Sequence, residues 1–210
     1  MKKKGILIVI SGFAGTGKGT LMKMLVERYD NYKLSVSATT RNPRPGEIDG
    51  THYFFKTREE FEEMIANDDL LEYAEYVGNY YGTPRSFVEK QLSEGKDVIL
   101  EIEYMGAFKV KEKYPEAVLV FLCPPSVEEV YKRLKGRNTE TEEVILKRIA
   151  RGKEEADIID KYDYLVINDD LEECALDLHN TIQSARNASF LRGDFINELK
   201  QEFDVFLKNN

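Results

Sequence analysis

The residues best suited to chemistry lie close to the start of the chain. Gly12-Phe13-Ala14-Gly15-Thr16-Gly17-Lys18-Gly19 stands between the apolar run Ile6-Leu7-Ile8-Val9-Ile10 and the stretch Leu21-Met22-Lys23-Met24-Leu25-Val26. A strand, a glycine-rich turn and a helix start together form the context that a phosphate-binding loop requires. Glycines at 12, 15 and 17 free the backbone to turn its N–H groups inward around an anion, and the positive end of the following helix points at the same spot. Lys18 would reach the β- and γ-phosphates as a point charge. Such loops usually carry Ser or Thr directly after the lysine; here Gly19 takes that place and Thr20 follows, so a hydroxyl for a magnesium shell is one residue away. The expected ligand is a nucleoside triphosphate, with Gly12, Phe13, Ala14, Gly15, Thr16, Gly17, Lys18, Gly19 and Thr20 as its cradle.

Charge narrows the class of partner. The 210 residues carry a formal net charge of −8, which argues against nucleic acid or an anionic membrane, since both select an excess of Lys and Arg. Between Lys132 and Lys153 the balance reverses. Lys132, Arg133, Lys135, Arg137, Lys147, Arg148, Arg151 and Lys153 face only Glu140, Glu142 and Glu143. A basic island on an acidic chain suits a small polyanion. Cys123 and Cys174 lie in apolar stretches without metal-ligand spacing, as expected of buried free thiols in a reducing cytoplasm. The basic start is followed by an apolar run of five, too short for a signal peptide. A cytoplasmic protein is expected, as a monomer or a homo-oligomer.

Those residues need a frame. Apolar runs at Gly5–Ser11, Asp97–Ile102, Ala117–Leu122 and Tyr164–Ile167 read as buried strands. Helical stretches fall near Lys18–Tyr29, Pro84–Glu94, Tyr104–Tyr114, Ser126–Lys135 and Glu142–Lys161. This alternation implies α/β architecture, a parallel sheet covered on both faces. Thr57 with Glu60, Ser126 with Glu129 and Thr139 with Glu142 match the capping-box spacing. Residues 34 to 83 break the rhythm, being strand-like and rich in Tyr, Thr and Gly, and read as an inserted antiparallel module with one helix near Arg58–Asn67. Gly136 to Thr141 reads as a mobile lid loop. Phe190, Phe195, Leu199, Phe203 and Phe206 predict a terminal helix packed on the body or on a partner chain.

The segment Ser37-Ala38-Thr39-Thr40-Arg41-Asn42-Pro43-Arg44-Pro45-Gly46-Glu47, followed by Gly50, Tyr53 and Phe54, resembles the GMP-binding signature of guanylate kinases. Leu71-Glu72-Tyr73-Ala74, Gly78 to Pro84, Leu100-Glu101-Ile102, Pro124-Pro125-Ser126, Arg133 to Arg137, Lys147-Arg148 and Val166 to Asp170 continue it in order, over roughly residues 5 to 184. The Lys-Gly-Thr form of the phosphate loop is likewise common among nucleoside monophosphate kinases. The resemblance implies a P-loop nucleoside monophosphate kinase fold with an inserted GMP-binding β module and a mobile lid. In that reading the core takes residues 1–35, 85–126 and 158–184, the GMP module 36–84, the lid 127–157 and a helical extension 185–210. It further implies ATP-dependent phosphorylation of GMP, and of dGMP, with Mg2+ as cofactor.

The chemistry that the resemblance assigns is consistent with residue type. Arg41 and Arg44 offer forked donors for bidentate phosphate contact, with Tyr53 and Tyr81 adding phenolic hydrogen bonds and Glu47 in the same set. Guanine presents N1–H and N2–H₂ as donors, which a carboxylate accepts, and the resemblance gives that role to Glu72. Ser37 and Thr83 would serve the base edge. Phosphoryl transfer needs positioning and positive charge more than covalent chemistry, so Lys18, Arg41, Arg133, Arg137 and Arg148 form the expected catalytic set. Glu101, with Thr20, would hold magnesium. Charge repulsion among Arg133, Arg137, Arg148 and Arg151 would disfavour lid closure until phosphates arrive. Of the histidines, His52 is expected beside the GMP module and His179 facing outward.

Four positions depart from the family pattern. Phe13 and Ala14 stand where Pro and Ser are usual, Glu103 where Asp is usual near the guanine amino group, and Met105 where Gln is usual. Gly152 interrupts a helix, at roughly 1 kcal/mol relative to alanine, and suggests a flexible point for the lid. Two other readings compete. An inactive guanylate-kinase-like protein-binding module would lack the phosphate-site lysine and arginines that are present here. A kinase for another acceptor, such as a ribose bisphosphate, would not need Ser37, Glu72 and Thr83.

Overall fold

The structure is a computed structural model that describes residues 4–136 and 141–209. Among the described residues, nine strands form two sheets. The first has the order β2-β7-β1-β8-β9 and is parallel throughout: β1 Leu7–Gly12, β2 Tyr32–Leu34, β7 Asp97–Glu101, β8 Val118–Cys123 and β9 Tyr164–Ile167. Along β1 the side chains alternate between two buried clusters. Ile8 and Ile10 join Leu21, Met22 and Leu25 of α1 (Lys18–Arg28) and Leu178 and Ile182 of α7 (Leu171–Ala185). Leu7 and Val9 join Val88 of α3 (Arg85–Ser93) and Ala107 and Val110 of α4 (Tyr104–Lys113). Burial on both faces is why the strand reads as an unbroken apolar run.

The four expected strands and the helices near them form, with ends shifted by a residue or two. Edge strand β2 is an addition: three residues with Lys33 exposed show no readable period, and pairing of Tyr32 with Asp97 fixes them in place. Helix α7 is another, started by Asp170, whose carboxylate accepts from the N–H groups of Glu172 and Glu173 at 2.9 and 3.0 Å. The long helix expected over Glu142–Lys161 is shorter. Helix α6 spans Glu142–Ala156, and a separate 3-10 turn covers Ile159–Lys161. Beyond the end of α6, Ile158, Ile159 and Tyr162 pack onto the core.

The second sheet has the order β4-β3-β6-β5, from β3 Ala38–Thr39, β4 Phe54–Phe55, β5 Leu70–Tyr76 and β6 Asn79–Pro84. It is mixed: β3 and β4 run parallel, and the other two pairs are antiparallel. Helix α2, Arg58–Ala66, starts with the expected capping box, Thr57 Oγ1 accepting from Glu60 N at 3.1 Å and Glu60 Oε2 accepting from Thr57 N at 2.8 Å. At α5, Val127–Gly136, half of the expected box forms. Ser126 Oγ accepts from Glu129 N at 3.1 Å, while the Glu129 carboxylate accepts from Arg133 instead. Thr139 and Glu140 lie outside the described residues, and α6 begins after Thr141, two residues later than the spacing suggests.

The expected C-terminal helix forms, without burying a residue against the body of the chain. Helix α8, Gly193–Lys208, buries none of its residues, and Phe195, Phe203 and Phe206 are exposed. His179 does not face outward. Its ring stacks on Tyr29 at 3.7 Å between centroids, and its Nδ1 is 2.8 Å from the Tyr32 hydroxyl. Burial draws it in, because α7 packs along α1 and both tyrosines flank that seam. Cys174 is buried and Cys123 half-buried, both as free thiols. Among the described residues, no helix is long and apolar enough to cross a membrane.

Candidate active site

The phosphate loop leaves β1 at its C-terminal end and enters α1, the place where open α/β sheets bind ligands. A Cβ at Gly12 would lie 2.4 Å from the Leu122 carbonyl, so strands β1 and β8 fit together there only with glycine. Gly15 and Gly17 adopt φ of +79° and +80°, and Gly17 caps α1 in this left-handed conformation. Lys18 Nζ donates to the carbonyls of Gly12 at 2.6 Å and Phe13 at 3.0 Å, which lays the ammonium across the loop. Thr16 Oγ1 donates to the Phe13 carbonyl at 2.8 Å. Thr20 and Gly19 are exposed on the first turn of α1.

Asn168 is a supporting residue that the spacing of the loop could not reveal. Buried, it donates from Nδ2 to the Thr16 carbonyl at 2.6 Å and ties the loop to the end of β9. Its own carbonyl accepts from Arg133 Nη1 at 3.0 Å, and Arg133 Nε donates to Glu129 at 2.9 Å. Arg133 therefore lies against the β9–α7 turn. Arg137 is outside the described residues.

A cleft of about 530 Å³ opens beside the loop, lined among others by Lys18, Glu101, Glu103, Arg148, Arg151 and Glu155. Glu101 ends β7 at this cleft; its surroundings push its carboxyl above the ordinary range by desolvation, and the charge of Lys18 opposes that. Arg148 and Arg151 sit three apart on α6 and so share one helix face. The expected repulsion among the lid arginines is offset at two of them. Arg133 pairs with Glu129, and Arg151 Nη2 reaches Glu103 Oε2 at 2.5 Å.

The second sheet holds the rest of the expected set. Arg41 and Glu47 form a bidentate pair, both contacts 2.9 Å, and Glu47 Oε2 also accepts from Arg44 N at 2.7 Å. The Arg41 guanidinium, followed by the Arg44 N–H, pulls the Glu47 carboxyl down to about 2. Glu47 therefore faces Arg41, and a carboxylate so placed orients the guanidinium. The rings of Tyr53 and Phe55 lie 5.3 and 5.9 Å from the same guanidinium, and Tyr53 and Tyr81 are 6.1 Å apart. Arg44 is exposed, and Ser37, half-buried at the entry to β3, accepts through its carbonyl from Phe54 N at 2.9 Å. Replacing Glu47 with alanine is expected to leave Arg41 mobile and raise KM for the phosphorylated acceptor roughly ten-fold, less than the loss of Arg41 itself. Steady-state kinetics on both variants checks the ranking.

Glu72 is buried on β5 and accepts from the Thr83 hydroxyl at 2.7 Å. Thr83 is fully buried, and its hydroxyl donates to the carboxylate expected to take the guanine edge. Burial raises the Glu72 pKa; the Thr83 hydrogen bond and Lys109 pull it back, and Glu103 adds to the rise. A Cβ at Gly106 would sit 3.2 Å from Glu72 Oε2, so glycine lets the first turn of α4 close over the carboxylate. Glu103, expected at the guanine amino group, is engaged by Arg151. The pair joins the residue before α4 to α6. Gly152 shows no unusual φ, and a Cβ there would meet the Phe13 ring in ordinary contact at 3.4 Å.

Comparison with known proteins gives a consistent result. The guanylate kinase family model matches residues 4–185. The guanylate kinase of Halalkalibacterium halodurans is 58% identical over 171 residues, 81% of this chain and 84% of its own. That of Lactococcus lactis is 55% identical over 175 residues, 83% of this chain and 85% of its own. The crystal structure of guanylate kinase from Anaplasma phagocytophilum superposes with a TM-score of 0.68 at 34% identity, covering 89% of each chain. The family match over most of the chain and relatives at 58% and 55% identity agree: the chain belongs to the guanylate kinase family.

Proposed function

We propose that this guanylate kinase passes the γ-phosphoryl group of ATP directly to the phosphate of GMP, or of dGMP, by in-line displacement with no covalent intermediate. The buried carboxylate of Glu72 carries the reading. A loop that only hydrolyses ATP has no use for a desolvated acceptor held by Thr83, whereas the N1–H and N2–H₂ edge of guanine requires one. Arg41, held flat by Glu47, takes the acceptor phosphate together with Arg44, Tyr53 and Tyr81. Lys18 and the loop N–H groups hold the donor phosphates. Arg148, with Arg133 and Arg137, meets charge that develops on the transferring group.

Magnesium fits this donor set. Among the described residues no three His, Cys, Asp or Glu side chains form a cage of their own. Mg2+ is normally held by one or two carboxylates together with substrate phosphates. Glu101 and the Thr20 hydroxyl are the protein groups that would hold it, and the ion supplies neutralisation of phosphate charge. The free thiols support a cytoplasmic setting.

Chiral labelling of the γ-phosphorus of ATP tests the direct step. Inversion of configuration in the GDP formed is expected. Retention would require two displacements and a phosphorylated side chain, and would overturn the proposed mechanism.

A further inference from the structure

Two consecutive residues of α6 face different parts of the core. Arg151 Nη2 meets Glu103 Oε2 at 2.5 Å, with Arg151 Nε also 3.8 Å from Glu155. Gly152 admits the ring of Phe13, which itself packs edge-on against Phe121 at 4.9 Å between centroids. One contact is ionic and ends on α4; the other is apolar and ends on the phosphate loop. Together they fix the rotation of α6 about its own axis. Arg148 lies one turn before Arg151 on the same face and lines the cleft with Lys18. Whatever sets the rotation of α6 sets the aim of Arg148.

The far end of the ionic contact leads to the base site. Glu103 is the residue that precedes α4, and three residues later Gly106 lies against Glu72. The charge of Glu103 is close enough to raise the Glu72 pKa, after burial itself. A single turn of helix therefore joins the carboxylate assigned to guanine with the lid helix that carries Arg148.

We propose that Arg151 is a positioning residue for phosphoryl transfer: through Glu103 it seats α6 on α4, sets Arg148 over the donor phosphates and couples that seat to the guanine site. This inference rests on the reading of Glu72 and Arg148 given above. The pair is half exposed, at 53% and 46% of the side chains, so it contributes little to global stability. Its effect belongs to the placement of one helix.

The test uses Arg151→Gln, Glu103→Gln, the double variant and Arg151→Lys in the full chain. Arg151→Gln is expected to lower kcat with GMP about ten-fold, less than the roughly hundred-fold that a 1 Å misplacement costs. KM for ATP should stay within about two-fold, as for an interaction not used in ground-state binding. Glu103→Gln should match it in kcat, the double variant should be no worse than either single, and Arg151→Lys should recover most of the loss. Melting temperatures should be unchanged. Multiplying losses in the double variant, an intact kcat in Arg151→Gln, or a loss that tracks the melting temperature would each overturn the proposal. So would a rise in KM for GMP in Glu103→Gln with kcat intact, which would assign Glu103 to the base alone. Hydrogen exchange without nucleotide separates this inference from the functional reading. Residues 148–153 should exchange faster in Arg151→Gln than in the parent, whatever the parent phosphorylates; equal rates would remove the seat.

Discussion

Replacing Lys18 with alanine is expected to lower turnover by a factor on the order of 10²–10³ or more, the loss that follows removal of one preorganised charge donor from a transition state. The fold should survive. Lys18 is half-buried and its ammonium rests on the loop carbonyls of Gly12 and Phe13, at 2.6 and 3.0 Å, rather than in the apolar core. Gly12 lines the cleft, open to water, and the Phe13 carbonyl keeps the Thr16 hydroxyl as a donor. The loop itself is held by other means: Thr16 on the Phe13 carbonyl, and Asn168 on the Thr16 carbonyl. Circular dichroism and the melting temperature should therefore match the parent while coupled ADP production falls. Turnover within a few-fold of the parent would remove the loop lysine from the mechanism.

Replacing Glu72 with glutamine is expected to cost GMP affinity by about ten- to hundred-fold, corresponding to roughly 1–3 kcal/mol for a buried hydrogen-bonding group left unsatisfied. ATP affinity should hardly change. The amide keeps one acceptor oxygen for the Thr83 hydroxyl but turns NH₂ donors toward the donors of guanine. Acid should mimic the substitution. Burial lifts the Glu72 pKa above the ordinary glutamate value, so GMP binding should fade at a higher pH than protonation of an exposed glutamate would produce. The stability contributions of two carboxylates then run in opposite directions. Glu72 holds its proton more tightly folded than unfolded, so its contribution is most favourable at low pH and falls as pH rises through the unfolded value. Glu47, pulled down to about 2 by Arg41, contributes stability above the ordinary glutamate range, and that stability is lost as pH drops toward 2. Calorimetric titration of GMP across the acidic range checks the first trend; unchanged GMP affinity in Glu72→Gln would move base recognition elsewhere.

What the sequence makes legible is what is contiguous. The phosphate loop is a run of neighbours whose glycines, lysine and flanking apolar stretches state their own geometry, and β1, β7 and β8 read as apolar runs because both of their faces are buried. Tyr32–Leu34 is too short to show a period, and only its pairing with β7 makes it a strand. The brace from Asn168 to Thr16 spans 152 positions, so no local pattern could announce it. Thr83 and Glu47 enter the expected site through the resemblance, and their hydrogen bonds to Glu72 and Arg41, 11 and 6 positions away, are not announced by residue type. Glu103 is the clearest case. The resemblance places it near the guanine amino group, while its partner in the structure is Arg151, 48 positions away. Helix α8 has the expected amphipathic spacing, but spacing alone could not say that none of its residues would be buried.

Acceptor selectivity tests the account most directly. ADP production is followed with GMP, dGMP, AMP and ribose 1,5-bisphosphate as acceptors, each with ATP and Mg2+. Transfer to GMP and dGMP is predicted, with AMP and the ribose bisphosphate turning over no faster than the background hydrolysis of ATP, because neither presents the paired donors that Glu72 accepts. Equal rates with AMP, or a preference for the ribose bisphosphate, would contradict it.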